Sequence, residues 1–475
     1  MKYSIYKYKV VLALLLLSSC ELFDPTQGII NPNITVDKIV GTAGSTGTWL
    51  NGQERELAIV YNVLIVNLEI ASDNYDNTKT FFNQQFDVLN FSYQDANINT
   101  LQFSIADLRQ SAVVGLEDIA PFDPTVTDDQ IAELYFYKGW AELLAGEIFV
   151  ALPLTPGGVA ASPSQNLDAA IADFQQAELL DGANPSYKLA LARAYYNKGD
   201  KVNAVLKANE VIALDANFTR TVQFDALNAP TNTMQDALYD RGNFDDLQPL
   251  PRLDFLDPKY YARSGTVESQ VYMQKIEEAH LIIAEAELSN SQLANGQTVM
   301  KTLRALVAGR PSESINDTGE GRPQTNPGTR PDNNAVTVRA SAADAYRSGL
   351  VLTRSSGTVS VPVISGTSVN DAMIDATATT DEALEVLYLM RQEIFLAEGR
   401  RFADLGLRFP VSETEKLSNS HITDDQIVGF VPSFVPIDMD AFVYDSGAGT
   451  CGITHNMNSV LVQNKASASV LPFHN

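Results

Sequence analysis

Apolar and small residues recur three and four positions apart along much of the chain, and polar stretches rich in Pro, Gly, Asn and Asp separate these runs. Gln53–Ala71 places Leu57, Val60, Tyr61, Leu64 and Leu68 on one helical face. Helical spacing resumes over Thr100–Ile119, Ile131–Phe149 and Lys188–Ala216, then over Tyr272–Leu288 with Gly296–Val307 behind it, and over Asp381–Glu398 with a continuation from Arg400. Between them, Met234–Arg263 has no period but holds Tyr239, Phe244, Phe255, Tyr260 and Tyr261, and Arg310–Asn334 reads as a long polar loop. Leu350–Ile364 alternates like a hairpin around Ser355-Ser356-Gly357, and the tail from Pro410 is irregular.

The helices come in pairs at a repeat spacing. In Lys188–Ala216, Leu191, Ala192 and Tyr195 sit on a first helix, Gly199-Asp200 makes the turn, and Ala204, Ala208 and Val211 sit on a second. These are tetratricopeptide positions, where alanine lets two helices approach closely. Ala170, Phe174 and Ala177 repeat the second-helix pattern, with Ile131–Phe149 as its partner and Trp140 on the core face. Such units bury their faces only by stacking. The predicted fold is therefore all-α, with tetratricopeptide-like helices mainly within 131–218, 270–308 and 381–408, long irregular loops and one small β-hairpin.

Composition refines this. The 475 residues are 45% hydrophobic and 19% charged, which is ordinary for a globular chain. The formal charge of −25 repels phosphate backbones, so nucleic acid is excluded as a partner. At the start, Lys2, Lys7 and Lys9 precede the apolar run Val10–Leu17, too short to span a bilayer, and then Leu17-Ser18-Ser19-Cys20. The last four residues resemble the bacterial lipoprotein box, which implies a signal peptide over 1–19, acylation of Cys20 and a polar tether over 20–48 ahead of the body at 49–475. With Cys20 acylated, Cys451 has no disulfide partner and reads as a buried small hydrophobe.

Catalytic patterns fail on context. Gly447–Gly452 matches a dinucleotide-binding spacing, but no helix follows it and it reads as a turn. Glu277 and His280 have the spacing of a di-iron ligand pair, yet no second pair exists. Oxygen ligands cluster at Asp73–Asp76 without the spacing of a calcium loop. No catalytic residue, metal or cofactor is expected.

Arg391–Arg408 narrows the reading. Its Arg391, Glu393, Glu398, Gly399, Arg401, Asp404 and Leu405 are similar to the signature of SusD/RagB-type lipoproteins of the Bacteroidetes. Glu278–Leu288 with Leu303-Arg304-Ala305 resembles a second block of that family, and Val435-Pro436-Ile437 a looser third. The resemblance implies a cell-surface, lipid-anchored outer-membrane protein. It would bind oligosaccharides, or peptides in some members, and pass them to a SusC-like TonB-dependent transporter for nutrient uptake without doing chemistry. The signature charges themselves alternate at helical spacing and suit an ion-paired turn between two helices.

Sugar recognition stacks aromatic faces on ring faces, with amides and carboxylates hydrogen-bonding the hydroxyls. That selects Asp73, Asn74, Tyr75, Asp76, Asn77, Phe81 and Phe82 after the first helix, and Tyr239, Tyr260 and Tyr261 in the aperiodic segment. Trp49 suits either packing or a platform. Two rivals differ in class. A tetratricopeptide scaffold for envelope assembly would show an apolar concave surface, and a surface glycoside hydrolase would show two carboxylates across a cleft.

Overall fold

The computed structural model describes residues 40–78, 82–227, 230–240, 247–261, 267–318, 329–354 and 357–474. Cys20, Phe81, the leader and most of the expected tether lie outside these residues. Helix α1 spans Ser45–Ile70 and begins ahead of the expected boundary at 49, because Asp123 accepts hydrogen bonds from the free N–H groups of Gly44 and Thr46. Trp49 is a packing residue whose Nε1 donates to the Ser111 carbonyl at 2.9 Å.

The following long helices are α2 (Ala96–Val114), α3 (Asp128–Ile148), α4 (Pro163–Leu180), α5 (Pro185–Asn197) and α6 (Lys201–Leu214). Further on come α7 (Glu277–Ser289), α8 (Leu293–Ala308) and α9 (Thr380–Ile394). Their starts are written locally: Thr127 with Gln130, Ser162 with Gln165 and Thr379 with Glu382 form reciprocal capping boxes, and Asp200 caps α6. Helices α3/α4, α5/α6 and α7/α8 pack as antiparallel pairs, α7 lies on α6, and α9 covers α7 and α8. Gly139 lets α4 close on α3, since a Cβ there would lie 2.9 Å from the Phe174 ring. Trp140 is fully buried between Phe136 and Phe174, with the Arg193 guanidinium 5.1 Å from its ring centre. Among the described residues no helix is long and apolar enough to cross a membrane.

Short strands tie the loops to this scaffold. Besides the two-residue pair Leu152–Pro153 with Ala160–Ala161, they are β1 (Tyr75–Asn77), β2 (Thr219–Val222), β3 (Leu247–Pro249), β4 (Val271–Lys275), β5 (Ser312–Asn316), β6 (Thr337–Arg339), β7 (Thr358–Pro362), β8 (Phe442–Asp445) and β9 (Thr450–Ile453). Tyr272–Lys275, expected as helix, is strand β4 paired with β2. Its five positions are all buried, so the side chains face protein on both sides and the backbone bonds are made across the ladder. Of the hairpin expected over Leu350–Ile364, the turn residues Ser355 and Ser356 lie outside the described residues, and 350–354 carry no strand. Strand β7 instead pairs with β5, inside the segment expected to be loop, because buried Val359 and Val361 meet Ile315 across that register. The local hairpin lies in the tail, β8 with β9, and the glycines of Gly447–Gly452 make its turn. The helix expected to continue from Arg400 is a single turn, Arg401–Asp404, and the tail, expected to be irregular, carries short helices at Glu413–Ser418 and Met457–Gln463.

The charged signature is a buried ionic hub that reaches beyond its own turn. Arg391 pairs with Asp404 at 2.9 Å, while Arg400 reaches Glu278 on α7 and Arg401 reaches Asp73 after α1, each at 2.5 Å. Glu398 accepts from Lys275 at 2.6 Å and from Lys259. Gly399, held at φ 70°, donates its N–H to Glu69 at 2.7 Å. One turn therefore ties the first helix, the aperiodic segment and the repeat stack together.

Candidate functional site

Strand β1 divides the expected ligand loop between two faces. Tyr75 and Asn77 point inward and Asp76 outward, as strand alternation requires. Asp73 and Asn74, fully buried, are consumed by structure: Asp73 by Arg401 and by Gln392 at 2.9 Å, Asn74 by Glu69 at 2.8 Å. Tyr75 donates to Asp257 at 3.4 Å and Tyr260 to the Ala397 carbonyl at 3.0 Å, and both rings are in the core. Tyr261 is buried against Glu313, and Tyr239, half-buried, donates to the Asn316 carbonyl at 3.0 Å and stands edge-on to Tyr261. Phe82 is half-buried against the core. The ring of Tyr260 serves packing because the segment 247–261 is bonded to α9 and the hub through Arg252, Lys259 and Tyr260.

What remains outward is Asp76, and the fold brings three distant residues to it. Carboxylate oxygens of Asp76, Asp87 and Asp440 lie within 4.8 Å of one another, all half-buried. Arg330 bonds Asp76 at 2.6 Å, anchors to the Pro249 carbonyl at 2.7 Å, and stacks its guanidinium 4.9 Å from the ring centre of half-buried Phe442 on β8. Asp87 accepts from the Asn77 N–H at 3.3 Å. The cluster thus offers converging acceptors, one fixed donor fork and an aromatic face. Among the described residues these three carboxylates are also the group whose oxygens converge closely enough to hold a cation; the expected Asp73–Asp76 grouping is split by the Arg401 pair. Nothing local in the sequence marked Asp87, Arg330, Asp440 or Phe442, since each acquires its role only by tertiary juxtaposition.

Crowded carboxylates hold protons. Burial, then the charges of Asp76 and Asp87, pushes Asp440 from 3.8 up to about 7, and burial followed by Asp76 pushes Asp87 up to about 6. A carboxyl whose native pKa exceeds its unfolded value binds its proton more tightly when folded. Its stabilising contribution is full below pH 3.8 and is lost as pH rises through 7. Asp440→Asn removes that loss, so the variant's melting temperature relative to wild type rises from acid pH to a plateau above pH 7. A constant difference across the range, measured by thermal unfolding, would show that Asp440 is not the titrating group.

No family model matches the chain, and no curated protein sequence does. Solved structures do match. A SusD superfamily protein from Bacteroides fragilis superposes with a TM-score of 0.54 at 14% identity, over 81% of this chain and 100% of that one. The B. fragilis protein NanU gives 0.53 at 12% identity, over 83% and 99%. A structure described as a putative sugar binding protein from Bacteroides vulgatus gives 0.53 at 11%, over 82% and 98%. The fold is SusD-like. The SusD-like architecture is shared over more than four fifths of this chain while most side chains differ.

Proposed function

We propose that this SusD-like chain is a surface glycan-binding lipoprotein. It is anchored by lipid at Cys20 after removal of residues 1–19, captures oligosaccharide or polysaccharide, and delivers it to a SusC-like TonB-dependent transporter in the outer membrane. The observation that supports the reading most is the superposition on proteins described as SusD-like carbohydrate binding and sugar binding, over 83% and 98% of their lengths. The Asp76–Asp87–Asp440 cluster with Arg330 and Phe442 supports it chemically: carboxylate oxygens accept hydrogen bonds from hydroxyl groups, the guanidinium donates to hydroxyl oxygens, and the ring can face a sugar. Binding without chemistry is the proposed activity.

The test is affinity electrophoresis and calorimetry of the chain from Glu21 against a panel of polysaccharides and their oligosaccharides, with product analysis on the same samples. One glycan class is retained intact, and Phe442→Ala weakens its retention about tenfold. Retention of peptides in place of glycans moves the ligand class, and released sugar replaces the binding reading with an enzymatic one.

A further inference from the structure

A second groove, sharing no residue with the carboxylate cluster, opens between α2, α3 and the loop 152–157, with a volume of about 280 Å³. Helix α2 buries Leu101, Ile105 and Leu108 in the core, yet Phe103 stands off that stripe with 64% of its surface exposed at the rim. An aromatic ring left in water forgoes the stabilisation that burial would give, and a ring presented beside a cavity is the arrangement that receives an apolar face.

The cavity wall adds a buried cation that Glu142 and Glu415 balance only at longer range. Arg109 is only 8% exposed, and its hydrogen bonding is to the Pro153 carbonyl through Nη1. It makes no ion pair with a described carboxylate, in contrast to Arg193, Arg391, Arg400 and Arg401, each of which is paired. Buried guanidinium groups normally keep all their donors engaged, so the remaining N–H groups of Arg109 are the ones the cavity serves. Asn166 reinforces this: its Nδ2 donates to the carbonyls of Leu152, Ala161 and Ser162, shaping the loop wall, while Oδ1 has no partner.

We infer that this groove is a second saccharide site, taking one neutral sugar residue with its apolar face on Phe103 and its hydroxyls bonded to Arg109 and Asp107. The volume lies at the small end of ligand pockets, which run from about 300 Å³ upward, so it suits a single ring. Charge selects a neutral one. Asp107 and Glu415 both line the groove with Arg109, and a uronate would meet two carboxylates for one guanidinium. Glu142, at the base, is pushed up by burial and by neighbouring Asp173. With the cluster at Asp76, the chain would hold a glycan at two points, which raises avidity without new contacts at either.

The test is saturation-transfer NMR on the full chain with methyl glycosides of glucose, galactose, mannose, xylose and N-acetylglucosamine, and methyl glucuronide as the acidic comparison. At least one neutral glycoside receives transfer, and both Phe103→Ala and Arg109→Gln weaken its binding about tenfold. Phe103 is exposed, so its variant keeps the fold if Arg109→Gln does not. No transfer to any neutral glycoside, transfer unchanged by Phe103→Ala, or preference for the glucuronide overturns the site. Transfer abolished by Phe442→Ala and untouched by Phe103→Ala overturns it too, while leaving glycan binding at the first cluster intact.

Discussion

Arg401→Met lowers the unfolding free energy by about 3–5 kcal/mol, the largest loss expected from a single charged side chain here. The side chains of Arg401 and Asp73 are 1% and 0% exposed, and the pair is bidentate at 2.5 and 2.9 Å. Removing the guanidinium leaves a carboxylate in the interior with a hydrogen bond from Gln392 and the more distant charge of Arg252 to answer it. The cost comes from that stranded charge more than from the lost attraction, because desolvating both ions already cancels most of the pairing energy. Adding Asp73→Asn therefore recovers a substantial part of the loss, although it removes the second half of the same bridge. Denaturant unfolding of the two single variants and the double variant checks this, and strictly additive losses would mean that the two residues are not coupled.

Tyr260→Ala lowers the unfolding free energy by a similar amount, about 3–5 kcal/mol, through the cavity left by a fully buried ring. Tyr260→Phe keeps the ring and loses only the hydrogen bond to Ala397, costing about 1–2 kcal/mol. If Tyr260 touched ligand, the alanine variant would lose glycan affinity while unfolding normally. With the residue in the core, the expected pattern is the reverse: a large shift in the denaturant midpoint, and affinity per folded molecule unchanged below the transition. The same contrast applies to Tyr75, whose ring is equally buried.

These two residues show why the ligand loop was only partly legible. Aromatic residues among Asp, Asn, Pro and Gly are an ambiguous signal, because composition reports a break in periodicity and not the depth at which the break is packed. Met234–Arg263 has no helical period, yet much of it passes beneath the hub: Leu250, Leu253, Leu256 and Tyr260 are all core residues. Asp76 lies in the stretch whose composition suggests a ligand loop, but the residues that converge on it include Arg330 and Asp440, which are hundreds of positions away. The hairpin was misplaced for a related reason. Alternation marks a strand and not its partner, and the partner of β7 lies across the intervening loop at β5.

What the sequence determined by itself is whatever is encoded over a few turns of chain. Helical periodicity, capping pairs such as Thr127 with Gln130, and alanines and glycines at the contact positions specify the helical pairs, and the Arg391–Arg408 signature points to the SusD-like architecture. These are short-range instructions, set by backbone hydrogen bonding and by which face of a helix is apolar. Tertiary structure alone decided which charges pair and which acceptors converge. Arg401 finds Asp73 rather than a neighbour on its own helical turn, Tyr272–Lys275 becomes strand because β2 satisfies its backbone, and Arg330, Phe442 and three carboxylates meet at one surface. Electrostatic and hydrogen-bonding partners act through space over a few ångströms, whatever their separation along the chain, so their identities appear only once the chain has folded.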